Sequence, residues 1–269
     1  MISEDSTYWN FVKDSTMIWC INLPERSDKR AHVLNEFRKI GILNQVHFYS
    51  PEKYEGNVPQ KGCWDSHIYC MRAALNEGKH LILFEDDVVF VDNWIEYYDM
   101  MRDNYMAYDW DILRLGSFVF QYDYEVRPYV WSGEFNATHA ICLHNDYIER
   151  CLNDPLFCAE KYPYPGVDEY HRNECLSDYA LVPCIAYQQY FSTDNTWHSS
   201  FNVWQIAFQN KYLYMYHQYL MNGISWRLRT FPILSQLNPY VLAFNVSDYL
   251  FNAYGTAKKF LSSLQLYYK

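Results

Sequence analysis

Three consecutive carboxylates, Glu85, Asp86 and Asp87, stand inside the apolar run LILFEDDVVF. An isolated charge is expensive to remove from water, so acids flanked on both sides by hydrophobic residues need something to hold. In an extended strand alternate residues share a face, which puts Glu85 and Asp87 on one side and Asp86 on the other. Where the strand opens into a loop, two or three of these acids can converge on one hard cation. All-oxygen ligation suits Mg²⁺ or Mn²⁺. The competing reading is a solvated strand end whose acids cap the next helix.

Two further segments carry groups suited to anions. INLPERSDKR (21–30) places Asn22, Arg26 and Arg30 directly after an apolar strand. An arginine fork there can take a diphosphate or a carboxylate in bidentate fashion, although ordinary surface charge explains the segment equally well in isolation. KGCWDSHIYC (61–70) opens a helix with Gly62, Ser66 and His67, and free backbone N–H groups at a helix start favour anions.

The elements that must position these groups follow from hydrophobic patterning. TMIWCINL (16–23) reads as a buried strand stopped by Pro24. Ser27 is placed to cap a helix with Ala31, Leu34, Phe37 and Ile40 on one face, ending near Gly41. QVHFYS (45–50) completes a β-α-β crossover. A helix over 63–76 with Ile68, Met71 and Leu75 on one face ends at Gly78, then HLILFE (80–85) forms the strand that delivers the acids. Asp92 or Asn93 caps a helix carrying Trp94, Ile95, Tyr98 and Met101. DILRLG (111–116) and HAICL (139–143) are strands, with a hairpin or excursion between them and a helix capped by Asn145 after them. Strands alternating with helices predict an open, mostly parallel α/β sheet, whose ligands bind outside the carboxyl ends of the strands.

Composition narrows the function classes. With 22 basic against 32 acidic residues the net charge is -10, which argues against nucleic acid as a partner. A nucleotide can still bind such a surface through a local metal ion. The eight cysteines are scattered with no CxxC pair, so neither a zinc site nor a disulfide scaffold is expected and buried thiols are the simpler reading. No basic segment followed by an apolar stretch opens the chain, which predicts a cytoplasmic location or one peripheral to a membrane. The sequons at Asn136 and Asn245 then read as chance matches. After residue 200 the texture becomes aromatic and amide-rich, interrupted by Pro232, Asn238 and Pro239, with no clean span of ~20 apolar residues. Residues 1–200 are therefore expected to form one α/β domain and 201–269 a mostly helical extension. That extension either caps the sheet or offers a surface to a partner, an acceptor or a membrane interface.

Taken in order, INL..R..R, then GC..SH, then a strand ending in EDDV, resemble glycosyltransferase family 25, which includes lipooligosaccharide and collagen-hydroxylysine galactosyltransferases. ATHAICLHNDYIERCL (137–152), VDEY (167–170) and LVPCIAYQQYFSTD (181–194) extend the resemblance over roughly residues 16 to 200. The resemblance implies a GT-A-type nucleotide-binding fold and a UDP-sugar donor, commonly UDP-galactose. It also implies Mn²⁺ or Mg²⁺ and an inverting displacement by a hydroxyl of a glycan or collagen-like protein acceptor. By the same resemblance Asp87 is the foremost metal ligand, with Glu85 or Asp86 assisting or contacting ribose, and His198 completes the metal shell with His139 and His171 as alternatives. Asn22, Leu23, Arg26, Arg30, Ser66 and His67 fall to the donor. Asp168, then Glu169, is the expected base, unless either merely caps the helix DEYHRNECL. The usual Asp-x-Asp appears here as Glu-Asp-Asp, which leaves the individual roles of the acids open. A catalytically idle, partner-recruiting relative is the alternative reading. A metal-dependent phosphohydrolase is a third, weakened by the lack of further carboxylate or His clusters for two metals.

Overall fold

The computed structural model describes residues 8–54, 60–159, 166–182 and 184–189, all within the first of the two units, 1–211 and 212–269, into which the chain divides. The expected boundary at 200, the aromatic extension and His198 lie outside the described residues.

In chain order the elements are β1 (Thr16–Ile21), α1 (Ser27–Lys39), β2 (Val46–Tyr49), α2 (Gln60–Asn76), β3 (His80–Glu85) and β4 (Val88–Phe90). There follow α3 (Tyr98–Tyr105), β5 (Ile112–Arg127), β6 (Val130–Leu143), α4 (Asn145–Asn153), α5 (Val167–Glu174), β7 (Asp178–Leu181) and β8 (Ala186–Gln188). Six strands form one sheet in the order β2-β1-β3-β6-β5-β7. β2, β1 and β3 run parallel, β6 is antiparallel to both its neighbours, and β7 is parallel to β5. The result is a mixed α/β architecture with a mostly parallel central sheet flanked by helices, as the alternation of patterns predicts. β4 and β8 form a separate antiparallel pair.

Strand alternation builds a core on each side. Ile82 and Phe84 of β3 pack with Ile18, Cys20, Val33 and Phe37 on the α1 face. Leu81 and Leu83 pack with Ile68, Met71, Ile141, Ile148 and Phe157 on the face covered by α2, α4 and α5. Every β3 side chain from 81 to 84 is buried, so the strand is held from both sides and its end is fixed.

Several local expectations shift. α1 buries Lys29, Val33 and Phe37 rather than Ala31 and Leu34; Ala31 is exposed, and Ser27 makes no cap because Arg26 occupies that position without a side-chain bond. Phe37 and Ile40 are buried as expected, and only the first half of the stripe differs, running through Lys29 and Val33. α2 already includes Gln60, so Ser66 and His67 lie past its first turn, where their N–H groups serve the helix rather than an anion. Gly78 has φ 64°, the left-handed conformation expected at that helix end. A 3-10 turn over Trp94–Tyr97 precedes α3, and Ile95 faces solvent. β5 and β6 are longer than expected and form the hairpin. His144, not Asn145, caps α4, accepting from the Asp146 N–H. Among the described residues no helix is long and apolar enough to cross a membrane.

Candidate functional site

The βα connection explains how the acids are compensated. Because β1 and β3 are parallel neighbours with Ile21 opposite Glu85, the end of β1 and the start of α1 lie beside the end of β3. Asn22, buried just past β1, donates from Nδ2 to Asp86 Oδ2 at 2.8 Å and to the Arg26 carbonyl at 3.3 Å. Lys29, in the first turn of α1, places Nζ 2.9 Å from Asp86 Oδ1 and 3.5 Å from Asp87 Oδ2. Burial alone would lower the Lys29 pKa, but Asp87 and Asp86 outweigh it and raise it.

Asp86 and Asp87 form a tight turn between β3 and β4, so strand alternation stops at Glu85. The expected pairing of Glu85 with Asp87 on one face is therefore corrected. Glu85 continues the Leu81–Leu83 face toward α2, while Asp86 and Asp87 both turn to Lys29 on the α1 side. Gln188 comes to Asp87 because β8 pairs with β4 and sets Val88 opposite Gln188. Its Nε2 donates to Asp87 Oδ2 at 3.0 Å, and the Gln189 N–H donates to the Asp87 carbonyl at 2.6 Å.

One atom in this node is left over. Asp87 Oδ1 is buried without a hydrogen-bond partner among the described residues. Burial pushes the Asp87 carboxyl up to about 7; Lys29 opposes that rise, and Glu85 and Asp86 add to it. An oxygen that has lost water and gained no donor is costly to bury, and a carboxylate oxygen is the donor type that hard cations take.

Glu85 has different company. Thr138 Oγ1 donates to Glu85 Oε1 at 2.6 Å, and His67 Nε2 stands 3.8 Å from the same oxygen, an ion-pair distance too long for a hydrogen bond. Burial would raise the Glu85 pKa, but His67 and Thr138 hold it below the usual range. Ser66 spends its hydroxyl on the Gly62 carbonyl at 2.6 Å.

The remaining expected residues divide between this region and other roles. Arg26 forks onto Asp28 at 2.9 and 2.8 Å, and the Arg30 guanidinium lies 3.3 Å over the Phe48 ring, so both are engaged locally. Leu23 is half-buried in the loop after β1. Asp168 and Glu169 occupy the first turn of α5, both half-buried, with Asp168 Oδ1 accepting the Glu169 N–H at 3.1 Å. Asp168 is within electrostatic reach of Cys63 and of the buried Arg114. His171 is buried with Nδ1 2.8 Å from the Tyr147 hydroxyl, and burial, His67 and Arg114 hold it neutral. His139 is buried, its pKa lowered to about 4 by loss of water, against the nearby charge of Glu85.

Lys29, Gln188, Thr138 and Cys63 lie within the quoted segments, but sequence reasoning gives these four residues no role. Lys29 carries a signal in retrospect, since Lys29, Val33, Phe37 and Ile40 recur at helical spacing. Nothing local marks Gln188 or Thr138, which meet the acids only through strand pairing.

No family model matches the chain, and no curated protein matches it. Among solved structures, a Bacillus anthracis protein assigned as a glucose-1-phosphate thymidylyltransferase, in complex with a sucrose, overlays with a TM-score of 0.29 and 10% identity. The overlay covers 50% of this chain and 55% of that one, so the match spans about half the length of the solved protein. A likeness this loose carries no argument about the chain.

Proposed function

We propose that the chain is a metal-dependent glycosyltransferase, similar to family 25 and built on a GT-A-type fold. It would move a hexose, galactose foremost, from a UDP-sugar to a hydroxyl of a glycan or hydroxylysine-containing protein. The observation that carries this reading is Asp87 Oδ1, a buried carboxylate oxygen without a hydrogen-bond partner among the described residues, at the carboxyl end of a central strand. In sheets of this kind, that end is where ligands bind.

The residues present fit a hard divalent ion. Asp87 offers an unsatisfied oxygen, and Lys29, Asn22 and Gln188 hold Asp86 and the other Asp87 oxygen in place. When bound, Mn²⁺ or Mg²⁺ supplies charge to offset the diphosphate leaving group. Asn22 and Lys29 fix the loop that a donor would line. Asp168, half-buried on the first turn of α5, is the group of suitable chemistry to accept the proton of an attacking hydroxyl, with Glu169 beside it.

Lys29 favours a second reading. An ammonium already standing between Asp86 and Asp87 supplies positive charge where an ion would, as in a catalytically idle relative. Incubation with a panel of UDP-sugars, Mn²⁺ and acceptors separates the two. Acceptor-dependent UDP release that disappears in Asp87→Asn supports transfer; absence of nucleotide-sugar binding with any metal overturns it.

A further inference from the structure

Cys63 and His67 are four residues apart on α2, so one helix face presents both toward the end of β3. There they meet Glu85, and one ligand atom from each of the three lies within 4.8 Å of the others. His67 is fully buried, yet neither ring nitrogen has a hydrogen-bond partner among the described residues. A buried imidazole with both nitrogens unmatched is costly unless something else takes a lone pair. The surroundings are negative as well: Glu85, Asp168 and Asp87 all act on Cys63, with Lys29 opposing them.

From this arrangement we infer that Cys63, His67 and Glu85 form a second cation site, distinct from Asp87, that takes a borderline-soft divalent metal of the Zn²⁺ class. A sulfur, an imidazole nitrogen and one carboxylate oxygen select zinc or cobalt over magnesium or calcium. Three protein ligands leave a fourth position open, and Cys63 is only half-buried, so water or a ligand atom can reach it. Thr138 orients the carboxylate through its 2.6 Å bond to Glu85 Oε1. Among the described residues no carbonyl or carboxylate hydrogen-bonds the second imidazole nitrogen, and a missing outer partner of that kind typically weakens affinity about 10–100-fold. Glu85 thus belongs to a different ion from Asp87, in keeping with its turn toward α2. The inference does not rest on the glycosyltransferase reading.

Cobalt titration of the metal-stripped full chain tests it. The expected result is a thiolate-to-cobalt charge-transfer band that saturates with one equivalent of Co²⁺ at this site, lost in Cys63→Ser and retained in Asp87→Asn. In the wild-type chain, Zn²⁺ should protect Cys63 from alkylation while the exposed Cys158 stays reactive; this arm holds even where a variant fails to fold. Failure to bind Co²⁺, binding without the band, the same band in Cys63→Ser, or equal alkylation of Cys63 with and without metal overturns the site. None of these outcomes alters the UDP-release assay, so the two readings fail separately.

Discussion

Lys29 Nζ lies 2.9 Å from Asp86 Oδ1, and both side chains are buried. One helix residue thereby holds the β3–β4 turn, contacting Asp87 as well at 3.5 Å. Breaking a buried ion pair by removing one partner leaves an uncompensated charge, at a cost of about 3–5 kcal/mol. Lys29→Met should therefore destabilise the chain by several kcal/mol in urea unfolding, with part of the loss recovered at acidic pH. A loss below ~1 kcal/mol would show that solvent reaches the turn.

The Asp87 carboxyl gives a pH signature. Its folded value is raised from 3.8 to about 7, so between those pH values the folded chain holds a proton that the unfolded chain has released. Its contribution to stability is complete below pH 3.8 and declines as pH rises through about 7. Wild type should lose stability relative to Asp87→Asn across that window. Unfolding curves for both proteins at pH 5 and pH 8 measure the difference, and a gap that is constant with pH refutes it.

The same proton competes with a metal. Mn²⁺ affinity should rise with pH up to about 7 and then level off, and the dependence should be absent in Asp87→Asn. Calorimetric titration at several pH values reads this directly.

Gly116 offers a test that touches no acid. A methyl group there would press on the Ala186 carbonyl and the His139 ring. Gly116→Ala should push β8 off β5 and cost about 1–3 kcal/mol as overpacking does. Because Gln188 reaches Asp87 from the end of β8, acceptor-dependent UDP release should fall as well. Full stability and full activity in that variant would mean that β8 does not position Asp87.

Arg114 and Asp178 make a buried bidentate pair at 2.7 Å on both arms, with Arg114 also donating to the Ala137 carbonyl at 2.6 Å. Arg114→Met alone should destabilise by about 3–5 kcal/mol, whereas Arg114→Met with Asp178→Leu should recover much of it. Additive losses in the double variant would contradict a pairwise interaction.

The sequence by itself determined the strands that carry the acids. HLILFE announces β3 because a buried parallel strand reads as a continuous apolar run, and TMIWCI and VHFY announce β1 and β2 by their apolar and aromatic content, although β2 is not buried. Gly78 marks the end of α2 because only that residue type adopts its backbone at no steric cost. The placement of Glu85, Asp86 and Asp87 at a strand end followed from the same pattern. What it did not determine was which way each acid faces. The period of two holds only while the backbone stays extended, and the chain turns at Asp86, sending Asp86 and Asp87 to Lys29 and leaving Glu85 with His67 and Thr138. His67 comes from the preceding helix, but the other partners come from residues 53 to 101 positions away, Gln188 being the farthest, and strand pairing and helix packing bring them in. Local pattern carries no information about such contacts; burial from both faces of the sheet decides them.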